Sequence, residues 1–180
     1  SMVNRWSSVK VDFFCLTDDP NGLREDIRIN LLPKTNYFGE NIKGWWNKIS
    51  LFQKHIEGAG SHILYFDLDV VITSSIDPLL FFDSDFALPV NCYVPLFSSS
   101  IMRFKNGSRV DIWNEFSTQI AETFGGDDIW IASKVPNADI FPEEWCSIYR
   151  LHAVQSVPPG SIVEGRLRFE SMRRVAHKCP

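Results

Sequence analysis

Ile63-Leu64-Tyr65-Phe66 is an unbroken apolar run that ends in Asp67-Leu68-Asp69. A short continuous run of this kind, preceded by Gly58-Ala59-Gly60, is the pattern of a strand buried on both faces, which requires packed layers above and below it. In extended backbone, residues i and i+2 point to the same side, so Asp67 and Asp69 are expected to face one point just beyond the strand. Crevices beyond the carboxyl ends of strands are where α/β sheets bind ligands.

The rest of the chain supplies the layers. Residues 9–16 (VKVDFFCL) form a β-rich run closed by Thr17-Asp18-Asp19-Pro20-Asn21-Gly22, a dense turn signal. Residues 27–32 read as a second strand, stopped by Pro33. Trp45, Ile49, Phe52 and Ile56 fall at spacings of three and four and predict one helix face, ended by the Gly58-Ala59-Gly60 break. Residues 86–89 and 97–104 read as strands, 110–124 and 127–134 as helices separated by Gly125-Gly126. Strands alternating with helices predict a layered α/β domain with a largely parallel sheet. With no internal repeat and no long linker, the chain is read as one domain over 1–180.

Composition narrows the chemistry. The 180 residues are 44% hydrophobic and 22% charged, as in an ordinary globular domain. A net charge of −4 argues against phosphate-backbone binding as the main role, so no nucleic-acid partner is expected. An anionic ligand must then be held by local charges or a metal. The four cysteines (Cys15, Cys92, Cys146, Cys179) show no CxxC spacing, which disfavours a zinc site. Cys15 reads as a buried free thiol, and a reducing, cytoplasmic setting is the expectation. No signal peptide is evident, and no apolar run approaches the ~20 residues that cross a bilayer.

Two carboxylates at a strand end suit Mg²⁺ or Mn²⁺, with water and substrate phosphates completing the coordination. Such an ion neutralises the charge that develops on a leaving diphosphate. The competing reading is that the acids only cap a loop or start the next turn.

Several segments in order resemble a known family. Gly44-Trp45-Trp46-Asn47-Lys48-Ile49, Leu51-Phe52 and residues 63–72 (ILYFDLDVVI) resemble the helix, strand and DxD core of GT-A glycosyltransferases, closest to the family-eight-like branch. Phe97-Ser98-Ser99-Ser100-Ile101-Met102 is similar to that branch's "fNSgvm" strand, and residues 126–131 (GDDIWI) to its "GDQxxi" segment. Residues 141–145 (FPEEW) with 147–150 (SIYR) resemble "lPxxw…sYr", and Cys15-Leu16-Thr17-Asp18-Asp19 resembles "cltDd". The resemblance covers residues 9–155, leaving 156–180 as an atypical C-terminal segment.

The resemblance implies a GT-A fold, a Rossmann-like α/β/α layering with a mostly parallel mixed sheet. It also implies transfer of a hexose from a UDP- or GDP-sugar to a hydroxyl of a glycan, lipid or protein acceptor, dependent on Mn²⁺ (or Mg²⁺). Asp67 would contact the ribose or the metal, and Asp69 would be the principal metal ligand. Lys48 would point at the diphosphate or donor sugar; the plain alternative is a solvated helix lysine. Asp127 would hold sugar hydroxyls near the anomeric carbon, with Asp128 beside it where the family has Gln, and the two form the candidate catalytic pair. As acids after Gly125-Gly126 they also suit a helix N-terminus. Ser99 joins Lys48, Asp67 and Asp127 in the candidate nucleotide-sugar site, although Ser98-Ser99-Ser100 replaces an Asn-Ser pair and its amide.

The pattern departs from the family at both ends. The matching part starts without the family's first strand and helix, and the late "HfxGxxKPW" segment is absent, with His177 a poorly spaced substitute for its His. One alternative is therefore a GT-A remnant or fragment that folds without catalysing. Another is a haloacid-dehalogenase-type phosphatase, disfavoured because Val71 stands where Thr is needed and the acid pair does not open the domain. Trp45 and Trp46 offer stacking faces for a nucleobase or sugar, with one of them read as core, and Trp113, Trp130 and Trp145 are read as packing residues. His55, His62 and His152 have no partner at metal spacing.

Overall fold

The computed structural model describes residues 2–32, 44–91 and 97–148, together with the backbone of 162–164. Pro33, Cys92, His152, His177, Cys179 and most of the C-terminal segment lie outside the described residues.

A short helix α1 (Met2–Arg5) precedes strands β1 (Phe13–Thr17) and β2 (Ile27–Leu31), which pair in parallel from Phe13↔Ile27 to Thr17↔Leu31. The turn between them follows its sequence chemistry. The Asp19 amide donates to Thr17 Oγ1 at 3.1 Å, the Asn21 amide to Asp19 Oδ1 at 3.0 Å, and Gly22 takes φ +80°, a value glycine reaches without strain. Cys15, expected buried, is a free thiol of intermediate exposure because β1 is only half covered.

A 3₁₀ helix spans Gly44–Phe52 where a longer α-helix was expected. The change of period moves the buried face. At three residues per turn Trp46, Ile49 and Phe52 align, and all three are buried while Trp45 is 40% exposed. The α-helical face through Trp45 and Ile56 therefore does not form. Ile56 is buried in the following loop instead, where the Asn106 carboxamide accepts from its amide at 2.8 Å and donates to its carbonyl at 3.0 Å.

Next come β3 (His62–Phe66), α2 (Asp77–Leu80), β4 (Phe86–Leu88) and β5 (Ile101–Lys105). The expected helix over 110–124 is two helices, α3 (Val110–Asn114) and α4 (Thr118–Thr123), because Ser117 starts a new one by accepting from the Ile120 amide at 3.3 Å. Helix α5 (Asp127–Lys134) runs where Gly125-Gly126 predicts, followed by β6 (Asp139–Ile140) and by β7 (Cys146–Ile148), which pairs in parallel with β8 (Ile162–Glu164).

Strands β3, β5, β4 and β6 form one mixed sheet in that order. β5 is antiparallel to both β3 and β4, and β4 is parallel to β6. Three of the five pairings among the described strands are parallel, and the antiparallel ones meet at β5. β3 packs on both faces but is half-buried and not fully enclosed, because among the described residues it pairs with β5 alone and its other edge stays open.

Side-chain alternation divides the core between the two faces of this sheet. Phe86, Leu88, Met102 and Phe104 join Trp46, Ile49, Phe52, Ile112, Trp130 and Ile131 in one cluster, with Ile63 and Tyr65 packed against it. Ala87 and Ile101 join Val70, Ile72, Ile76, Leu79 and Phe141 in the other, with Leu64, Phe66, Val3 and Trp6 against it. Helical segments thus cover both faces, and the chain is a mixed α/β protein. The buried Arg103 extends from β5 to the end of α2, donating to Leu80 O at 3.2 Å and to Ser84 O. No helix among the described residues is long and apolar enough to cross a membrane.

Candidate functional site

Lys48, Asp67, Ser99 and Asp127 come from four separate segments and meet at one ammonium group. The Lys48 side chain is only 8% exposed, so it is not a solvated helix lysine. Its position follows from the 3₁₀ turn, which sends Trp46 and Ile49 into the core on either side of it.

Its Nζ lies 3.0 Å from Asp67 Oδ1, 3.1 Å from Asp67 Oδ2, 2.9 Å from Asp127 Oδ2 and 3.0 Å from Ser99 Oγ. An ammonium has three donors, and these three residues supply a partner for each. Burial alone would lower the Lys48 pKa, but the charges of Asp127 and Asp67 outweigh it and hold the group above its ordinary value.

Asp67 follows the last residue of β3, and its amide still donates to Ser100 O at 2.8 Å. The ladder stops there. The Val70 amide donates to Asp67 O at 3.1 Å, so Asp67 to Val70 is a turn and the two acids do not share an extended strand. Leu68, between them, is fully solvent-exposed, and Asp69 is half-buried. Tyr65, two residues earlier on β3, donates its hydroxyl to Asp67 Oδ1 at 2.7 Å, and its ring centroid lies 5.6 Å from Lys48 Nζ. Burial first, then the charges of Asp67, Asp127 and Asp69, push the Tyr65 phenol far up, so it stays protonated and donating.

Ser99 is 3% exposed in the bend before β5. The expected strand over 97–104 starts only at Ile101; Phe97 keeps an isolated antiparallel bridge to Val90, and the backbone bends at Ser99 and Ser100, where the Ser98 hydroxyl accepts from the Ser100 amide at 3.4 Å. Ser99 Oγ donates to Asp127 Oδ2 at 2.8 Å while accepting from Lys48.

Asp127 and Asp128 open α5, as the helix-terminus reading expects. They differ in surroundings. Asp127 is 7% exposed and bound inward, whereas Asp128 is half-buried and accepts from Asn91 Nδ2 at 3.0 Å and from the Ile129 amide at 2.9 Å. Desolvation raises the Asp128 pKa, the Ile129 amide pulls it back, and the Asp127 charge adds to the rise.

Sequence reasoning missed Tyr65 and Asn91 as members of the cluster. Tyr65 was within reach, since residues two apart on a strand share a side. Asn91 carries no local signal, because its partner lies 37 residues away. His55 and His62 are exposed outside the cluster, hydrogen-bonded to Asn106 and Ser61 respectively. Among the described residues, no group of three or more His, Cys, Asp or Glu side chains stands ready to hold a metal ion.

The site and sheet define a mixed α/β protein with a buried, lysine-centred carboxylate cluster. Compared with known protein families and with curated proteins, the chain matches none.

Proposed function

We propose that this chain is a GT-A-like glycosyltransferase domain that binds a UDP- or GDP-sugar and transfers its hexose to an acceptor hydroxyl. One observation carries the reading. The four segments that resemble the family, around Lys48, Asp67, Ser99 and Asp127, lie up to 79 residues apart (127 − 48 = 79) yet meet within hydrogen-bonding distance.

The donor chemistry fits a hard divalent cation. Asp67 and Asp127 bring two negative charges to a cluster in which Lys48 brings one positive charge, and Asp69 adds oxygen ligands two residues on. Mn²⁺ or Mg²⁺ takes one or two carboxylates and fills its shell with water and phosphate oxygens. Asp67 and Asp69 would hold it, and the ion would offset charge on the leaving diphosphate. Lys48 and Ser99 orient Asp67 and Asp127, and Asp127 with Asp128 offers acceptors to sugar hydroxyls.

A second reading has its own support. Lys48 finds three partners within the protein, as a purely structural pin would, which suits a remnant that folds without catalysing. Titration with Mn²⁺ and a panel of UDP- and GDP-sugars separates the two. Metal-dependent binding abolished by Asp69→Ala supports the transferase. A folded protein that binds no nucleotide sugar supports the remnant. Hydrolysis of a generic phosphate ester with an acyl-phosphate trapped on Asp67 excludes the transferase in favour of the dehalogenase-type phosphatase.

A further inference from the structure

Tyr65 does two separable things. Its ring packs against the core cluster that contains Trp46 and Phe104, and its hydroxyl donates to Asp67 Oδ1 at 2.7 Å. A phenylalanine would supply the packing alone, so the hydroxyl needs its own account. A half-buried hydroxyl is costly without a partner, and here its partner is the candidate metal ligand.

We propose that Tyr65 is a positioning residue that sets the Asp67 carboxylate for a divalent cation. This rests on the reading of Asp67 and Asp69 as that cation's ligands. Alternation on β3 places Tyr65 and Asp67 on the same side, so the phenol reaches the carboxylate with no loop movement. Tyr65 and Lys48 both contact Oδ1, and Lys48 also contacts Oδ2. A carboxylate has about four lone-pair directions. Among the described residues the Tyr65 hydroxyl and one Lys48 N–H use two of these, and a cation takes one of the directions left.

The two supports differ in kind. Lys48 brings a positive charge that competes with a cation for Asp67, whereas Tyr65 brings a neutral donor. A phenol hydroxyl donates to Asp67 Oδ1 without adding a charge beside the ion. It fixes the carboxylate torsion without repelling the ion. Hydrogen bonds of this kind behind ligating carboxylates are worth about 10- to 100-fold in metal affinity.

The test is Mn²⁺ titration of the whole chain, with and without UDP, following free Mn²⁺ by electron paramagnetic resonance. Thermal unfolding is recorded on the same samples. Tyr65→Phe is expected to bind Mn²⁺ about ten-fold or more weakly than the wild type. In an Asp67→Ala background the same substitution is expected to add no further loss, since Tyr65 acts through Asp67. Unchanged Mn²⁺ affinity in Tyr65→Phe overturns the positioning role while leaving the cation site standing. An equal further loss without Asp67 overturns it too, by showing a general structural effect. A wild-type protein that binds no Mn²⁺ in either condition overturns the cation site and this inference together.

Discussion

Lys48 Nζ sits 2.9 Å from Asp127 Oδ2, joining a 3₁₀ helix to the first residue of α5 across the face of the sheet. Both side chains are nearly buried, at 8% and 11% exposure, so neither charge can fall back on water if the other is removed. Lys48→Met is expected to destabilise the fold by about 3–5 kcal/mol, the cost of leaving a buried charge uncompensated. Chemical denaturation measures it, and adding Asp127→Asn should cost less than the sum of the two single changes.

Alkaline pH should loosen the same cluster. Lys48 is held above its ordinary 10.5 and the Tyr65 phenol above its ordinary 10.0. For a raised pKa the stabilisation is fully present below the unfolded value and is lost as pH rises through the folded one. Stability should therefore start to fall above about pH 10. Tyr65→Phe should remove the phenol's share of that slope in unfolding curves taken between pH 9 and 11.5.

Asp128 runs the other way in its consequence for neutral pH. Its pKa is raised from 3.8, chiefly by desolvation, so its favourable contribution exists in acid and is lost as pH rises through the folded value. Asp128→Asn is therefore expected to raise the unfolding temperature at pH 7, with the gain disappearing below about pH 4. An Asn there keeps an acceptor for the Ile129 amide, and Asn91 can reverse its carboxamide to accept in turn. Equal unfolding temperatures at pH 7 would count against a strained Asp128 carboxylate.

The 3₁₀ face makes a sharp comparison between adjacent tryptophans. Trp46 is 3% exposed with its ring centroid 4.9 Å from Phe116, so Trp46→Ala should cost about 3–5 kcal/mol. Trp45 is 40% exposed, and Trp45→Ala should stay within about 0.5 kcal/mol. Were the segment an α-helix with the face through Trp45, Ile49, Phe52 and Ile56, the order of the two effects would reverse.

Much of the element order was legible from local chemistry. The Thr17 to Gly22 turn, the β3 run and the α5 boundaries after Gly125-Gly126 all appear where residue pattern and breaker residues predict them. Two of the misreadings, at Ile56 and at Trp45, share a cause, which is that distant partners override local period. The Asn106 carboxamide takes the backbone groups of Ile56, and the core selects Trp46 over Trp45. A local device, the Ser117 cap, divides the 110–124 segment, and periodicity alone does not register it.

The sequence by itself determined that two acids, Asp67 and Asp69, stand where an apolar strand runs out, because Ile63 to Phe66 is too short for a buried helix and is cut off upstream by Gly58-Ala59-Gly60. It also nominated Lys48, Ser99 and Asp127. Only the tertiary structure decided that Asp67, Ser99 and Asp127 share the Lys48 ammonium, that Asp67 and Asp69 lie in a turn, and that Tyr65 and Asn91 join the cluster. The reason is physical. Strand and helix periods act over a few residues, whereas satisfying a buried charge requires partners in space, and the chain reaches those only after the sheet has formed.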